Sequence, residues 1–239
     1  MMKELLSLAF LTVLCLGALQ SASLCAAEEE GVALAIIYDT SGSMRDPVAD
    51  QTGGAAPKYV IANRALKAVA NQIQAFATNS AKGSARKIYT GLFTFEGEHA
   101  RVAVPMKAFD RDVLRNWADH FSNPSGNTPL GNTLNAAGRA VLDTHLARKH
   151  VLVITDGINT AGPPPATVLP KLKQQATQQG TSLSVHFVAF DVDAKVFDPL
   201  KKQGATVVAA GDEKQLNSQL QYILQQKILL EDEETPQKK

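Results

Sequence analysis

The sequence predicts an α/β fold: a doubly wound, mostly parallel central sheet with one antiparallel edge strand and helices on both faces. Three observations carry this expectation. Apolar runs of strand length alternate with longer segments of helical period from Gly31 onward. Two of those runs, "VALAIIYD" and "HVLVITDG", leave no room for a polar face, as in strands covered on both sides. No linker long enough to separate two domains interrupts the alternation, and the 239 residues suit one large domain or two small ones.

In chain order, the first apolar run ends at Asp39 and passes into the loop "RDPVADQTGGAAPK", whose Asp46 and Asp50 read as solvated. "YVIANRALKAVANQIQAFAT" sets Val60, Ile61, Leu66, Val69, Ile73 and Phe76 at helical spacing. "KIYTGLFTFE" alternates like a strand. "ARVAVPM" follows as its antiparallel partner around "GE", and Pro105 marks a sheet edge because proline lacks the ladder N–H. "FDRDVLRNWADHF" reads as a helix capped by Asp110, with Trp117 on its apolar face. After the loop "SNPSGN", "TPLGNTLNAAGRAVLDTHLAR" reads as another helix, leading to the second buried strand and Asp156. "ATVLPKLKQQATQQG" is a helix closed by Gly180, with Pro170 leaving its start open. "TSLSVHFVAFD" is a strand, "AKVFDPLKKQG" a short helix, "ATVVAAG" the last strand and "DEKQLNSQLQYILQQKILL" the last helix.

The two ends read differently. Residues 1–27 carry Lys3, an apolar run from Leu5 to about Leu19, and the small-x-small stretches "SAS" and "CAA" before Glu28, the pattern of a secretory signal peptide. The apolar run falls short of the ~20 residues that span a bilayer, which disfavours the competing reading of a retained anchor. The expectation is an exported protein, periplasmic or secreted, with no membrane span in the mature chain. Cys15 and Cys25 both lie in the leader. Cleavage after Ala27 would leave no disulfide, thiolate metal site or cysteine nucleophile. A lipoprotein would use Cys25, but Leu24 stands where a small residue is expected. Residues 231–239, "EDEETPQKK", read as a charged, disordered tail. A formal net charge of +1 gives no bulk attraction to nucleic acid or to a membrane surface.

The chemistry concentrates at strand ends. In a parallel sheet Asp39 and Asp156 emerge at one edge, where open α/β sheets bind their ligands. Two carboxylates there repel unless something positive sits between them. Asp39, Ser41 and Ser43 alternate, so their oxygens can converge on one point. Carboxylates with neutral oxygens suit a hard dication such as magnesium.

The stretch "DTSGS" matches the Asp-x-Ser-x-Ser motif of the von Willebrand factor A domain, the heart of that family's metal-ion-dependent adhesion site. "GNTPLGNTL" supplies the family's threonine as Thr128, and "ITDG" supplies its later aspartate as Asp156. The chain therefore resembles that family over residues 31–230. The resemblance implies metal ligation by Asp39, Ser41, Ser43, Thr128 and Asp156, with Asp39 and Asp156 binding directly or through water. It implies Mg2+, or Mn2+ in vitro. It implies a protein partner whose aspartate or glutamate completes the metal's shell, with no nucleic acid, and a binding module rather than an enzyme. A structural or assembly subunit of an envelope complex, with a stabilising metal, is the alternative.

A metal-dependent hydrolase ranks third. Where aspartate phosphotransfer enzymes place a second acid, this chain has Ser41, and no lysine occupies an obvious strand end to neutralise a phosphoryl group. No Gly-x-Ser-x-Gly elbow surrounds either serine. The five histidines show no metal-ligand spacing, and His186, alternating along a strand, reads as a core residue.

Overall fold

The computed structural model describes residues 28–78 and 86–229. The expected signal peptide (1–27) and charged tail (231–239) lie outside the described residues.

A six-stranded sheet forms the centre, in the order β5-β4-β1-β6-β7-β8. Its strands are β1 (Glu29–Tyr38), β4 (Ile88–Glu96), β5 (His99–Ala108), β6 (Leu146–Thr155), β7 (Ser184–Phe190) and β8 (Thr206–Ala210). All pair in parallel except β5, which pairs antiparallel with β4 at the edge. This is the expected von Willebrand factor A architecture. Pro105 sits in that edge strand, where its missing N–H disrupts least.

Alternation along β1 sends its side chains to two cores. Leu34, Ile36 and Tyr38 face α1 (Lys58–Thr78), α2 (Arg111–His120) and α6 (Glu213–Ile223). Ala33, Ala35 and Ile37 face α3 (Leu130–Leu142), α4 (Pro165–Gln178) and α5 (Asp198–Lys202). β1 is buried from Gly31 through Tyr38, so the hydrophobic effect acts on both its faces. A fully buried Leu or Ile there contributes about 1.5–3 kcal/mol. Asp110 caps α2 as expected, accepting from the N–H groups of Asp112 and Val113.

Four local features differ from the sequence reading or settle a point it left open. The loop after Asp39 is not wholly irregular: β2 (Pro47–Ala49) and β3 (Ala55–Pro57) form a small antiparallel ribbon. Its turn is tied down because Asp50 accepts from Thr52 and Gly54, while the Gln51 N–H donates to Glu213 on α6. Second, α3 stops at Leu142, short of "DTHLAR". Thr144 Oγ1 donates to the Val141 carbonyl at 2.7 Å, and the His145 carbonyl accepts from the Glu29 N–H, so this stretch turns into the sheet. Third, Pro170 lies inside α4. The carbonyl of Ala166, which loses its helical donor to that proline, accepts instead from Gln203 Nε2 at 2.9 Å. Fourth, the last helix closes as a π-helix over Leu224–Leu229.

Candidate metal site at the carboxyl edge of the sheet

β1 and β6 are neighbours in parallel register, so their ends deliver Asp39 and Asp156 side by side. The Asp39 N–H donates to the Ile154 carbonyl at 3.0 Å, extending the ladder to the first acid. The chain then tightens into a 3-10 turn, Gly42–Arg45, that brings the two serines over the edge.

Four of the five residues expected as ligands form one hydrogen-bonded string. Asp39 Oδ1 accepts from the Ser41 N–H at 2.8 Å. Ser41 Oγ and Ser43 Oγ lie 3.1 Å apart. Ser43 Oγ donates to Asp156 Oδ1 at 2.8 Å. Thr128 joins through its loop rather than through that string. The Gly42 N–H donates to the Gly126 carbonyl, and a methyl placed on Gly157 would lie 3.7 Å from Thr128 Oγ1. The Thr128 N–H donates to Thr160 Oγ1, and its carbonyl accepts from the Thr160 N–H, so two loops lock it beside Asp156.

The electrostatics follow from burial. Asp39 is fully buried and Asp156 nearly so. Burial first, and the neighbouring charge of Asp156 second, push the Asp39 carboxyl up to about 6, against hydrogen bonds from Ser41 and Thr155 that favour its ionised form. A cation between the acids would relieve both costs. Among the described residues no three His, Cys, Asp or Glu side chains gather into a metal site. A cation held here would therefore draw on hydroxyl oxygens as well as on the two carboxylates. Two anionic and several neutral oxygens fit a hard dication.

Three residues outside the expected set prove to be part of this edge. Thr155 Oγ1 donates to Asp39 Oδ2 at 2.5 Å. Asp191 follows β7 as Asp39 follows β1, and the repeated strand-then-acid signature in "VAFD" was legible in the sequence. It adopts φ +53°, a left-handed conformation that aspartate tolerates better than most residues. Lys58 corrects the expectation that no lysine reaches the strand ends. From the first residue of α1, its ammonium lies 3.1 Å from Asp156 Oδ2 and 3.0 Å from Asp191 Oδ2. Burial pulls the Lys58 pKa down, but the hydrogen bonds and charges of Asp191 and Asp156 outweigh it and hold the group above the ordinary lysine value. His186 is a core residue as expected, paired with His150 at 3.3 Å on the buried part of β6 and β7.

The surface around the edge is shaped as well as charged. Ile158, two residues past Asp156, is 55% exposed. A groove of ≈ 660 Å³ opens on the other side, lined by Thr40, Phe95, Arg101, Trp117, His120 and Gly126. Among the described residues no helix is long and apolar enough to cross a membrane.

Comparison with solved structures returns the same fold. The PilB minor pilin from Streptococcus sanguinis superposes with a TM-score of 0.63 at 15% identity, over 83% of this chain and 61% of the pilin. The chain thus spans less than two thirds of that relative. The vWF domain of the type V pili tip protein Mfa5 from Porphyromonas gingivalis gives 0.57 at 12% identity, over 82% of this chain and 94% of that one. Proximal thread matrix protein 1 from the mussel byssus, solved with a zinc-occupied MIDAS motif, gives 0.55 at 16% identity, over 82% and 48%. At these identities the likeness speaks for the fold alone. No curated protein sequence matches. The family model for the von Willebrand factor type A domain matches residues 34–159, more than half of the chain, and it spans both acids and the threonine between them. The chain therefore belongs to the von Willebrand factor type A domain family.

Proposed function

We propose that this domain is a divalent-metal-dependent protein-binding module. Asp39, Ser41, Ser43, Thr128 and Asp156 hold Mg2+, with Mn2+ able to replace it. The coordination position left open takes an aspartate or glutamate of a partner protein. The observation that carries this reading is the string from Asp39 through Ser41 and Ser43 to Asp156, which collects two carboxylates and two hydroxyls at one sheet edge. The bound ion would supply a fixed positive charge for the partner's carboxylate. Exposed Ile158 and the neighbouring groove give the rim on which specificity can be built. The zinc-occupied MIDAS of the mussel protein and the pilus setting of the two bacterial structures support a binding role outside the cytoplasm.

The test has two parts. Isothermal titration with Mg2+ should give saturable binding by the native protein and none by Asp39→Ala, checked for folding by circular dichroism. Columns carrying each protein are then loaded with an extract of the source organism in Mg2+ and eluted with EDTA. A protein released from the native column and absent from the variant column is expected. Metal binding without any such protein would turn the reading towards a structural subunit with a stabilising ion.

A further inference from the structure

The metal reading gives Lys58 no role. Lys58 is 5% exposed, and its ammonium touches Asp156, a proposed ligand, and Asp191, which is not one and whose side chain is 43% exposed. We propose that Lys58 is a positioning residue that serves as a tethered cation. It neutralises Asp156 in the metal-free protein and lowers the affinity of the site for a dication. This rests on the proposed ligation by Asp39 and Asp156.

The geometry divides Asp156 between two claims. Its Oδ1 accepts from Ser43 and faces the hydroxyl string, while its Oδ2 accepts from Lys58. A metal and the lysine therefore draw on the same carboxylate from opposite sides. Charge counting gives the direction. Asp39, Asp156 and Asp191 carry three negative charges when ionised, and Lys58 offsets one of them. The remainder balances a dication. Without the ammonium, the same dication would meet one more uncompensated negative charge. Asp191 acts as the second anchor: it shares the ammonium, and so limits how strongly Lys58 competes for Asp156.

A lysine that merely supported the fold would, on removal, cost stability and loosen the metal. A tethered cation makes the two effects oppose. Lys58→Met keeps the apolar stem and deletes the charge. Its metal-free form should melt below wild type, because Asp156 and Asp191 lose their counter-ion. Its Mg2+ and Mn2+ affinities, by isothermal titration, should rise by about tenfold, the scale for removing one unit charge from a site of intermediate dielectric. Lys58→Arg should bind the metals like wild type. Asp191→Asn should weaken binding several-fold, and it should lose most of that effect when combined with Lys58→Met. Metal affinity of Lys58→Met equal to or weaker than wild type, in a protein with native circular dichroism, overturns the proposal while leaving the metal site standing. Failure of the wild-type protein itself to bind either metal overturns both. Should Lys58→Met not fold, Asp191→Asn decides: unchanged or tighter metal binding in that variant refutes the shared-lysine arrangement.

Discussion

Gly131 lies in the first turn of α3, three residues after Thr128, and the structure makes it a quantitative test of how the site is held. A Cβ added there would lie 1.9 Å from the Pro163 carbonyl oxygen and 3.0 Å from its carbon, where ordinary contact begins at 3.4 Å. The obstacle is backbone, so no side-chain rotation relieves it. Gly131→Ala must push the 157–164 loop, which follows Asp156, away from the helix that follows Thr128. Overpacking of this kind costs about 1–3 kcal/mol, and a rigid clash belongs at the upper end. Alanine returns about 1 kcal/mol of helix propensity. The net loss is about 2 kcal/mol, a melting-temperature drop of roughly 4–8 °C for a chain of this size. Gly138→Ala is the control. Its nearest neighbour is Leu172 Cδ1 at 2.6 Å, a side-chain end that can rotate away. Urea unfolding of both variants, with and without Mg2+, is the assay. Gly131→Ala should be the less stable of the two and should lose Mg2+-dependent stabilisation. A Gly131→Ala protein at least as stable as Gly138→Ala would refute the packing argument.

Two further outcomes follow from the buried polar groups. Burial, then the charges of His186 and Arg148, hold His150 down to about 3; burial, then Lys227, holds His186 down to about 4, against an ordinary 6.5. The unfolded chain takes up these protons below about 6.5 while the folded chain does not, so stability is complete above that value and falls as pH drops towards about 4. The slope approaches about 1.4 kcal/mol per pH unit for each histidine, and His186→Gln should flatten it in urea titrations across that window; an unchanged slope would contradict the assignment. The Tyr38 hydroxyl shares its one hydrogen between Asn63 Oδ1 at 2.8 Å and the Tyr59 carbonyl at 3.0 Å, while Asn63 Nδ2 donates to the Phe121 carbonyl. Tyr38→Phe should therefore cost about 1–2 kcal/mol in chemical denaturation, and a variant as stable as wild type would show that those acceptors find other donors.

Much of the candidate site's arrangement could be read from the sequence because its parts are local. "DTSGS" places three oxygens within five residues of a strand end, and the strand is recognisable from its unbroken apolar run. "ITDG" repeats the device on β6, and parallel winding brings both acids to one edge, while the adjacency of β1 and β6 came only with the folded sheet. Thr128 was legible from its place between the loop "SNPSGN" and a helix, although its coupling to Thr160 was not. Lys58 escaped because its partners lie 98 and 133 residues further along the chain, and no spacing rule connects a helix start to the ends of β6 and β7. Thr155 escaped because it reads as one more apolar-strand residue until Asp39 is set beside it. The boundary of α3 was misread for a related reason. Helical period continues past Leu142, but the Thr144 bond to the Val141 carbonyl and the pairing of His145 and Leu146 with β1 take the chain into the sheet.

The sequence by itself determined the class of fold and the edge at which the acids gather, because apolar periodicity and short polar motifs act over a few residues. Tertiary structure decided what balances those acids. That balance depends on distances between groups far apart in the chain, where a lysine two-thirds the length of the fold away from Asp191 comes within hydrogen-bonding reach only after six strands have packed. Electrostatic energy depends on separation and burial, and neither exists until the two cores have closed on the sheet.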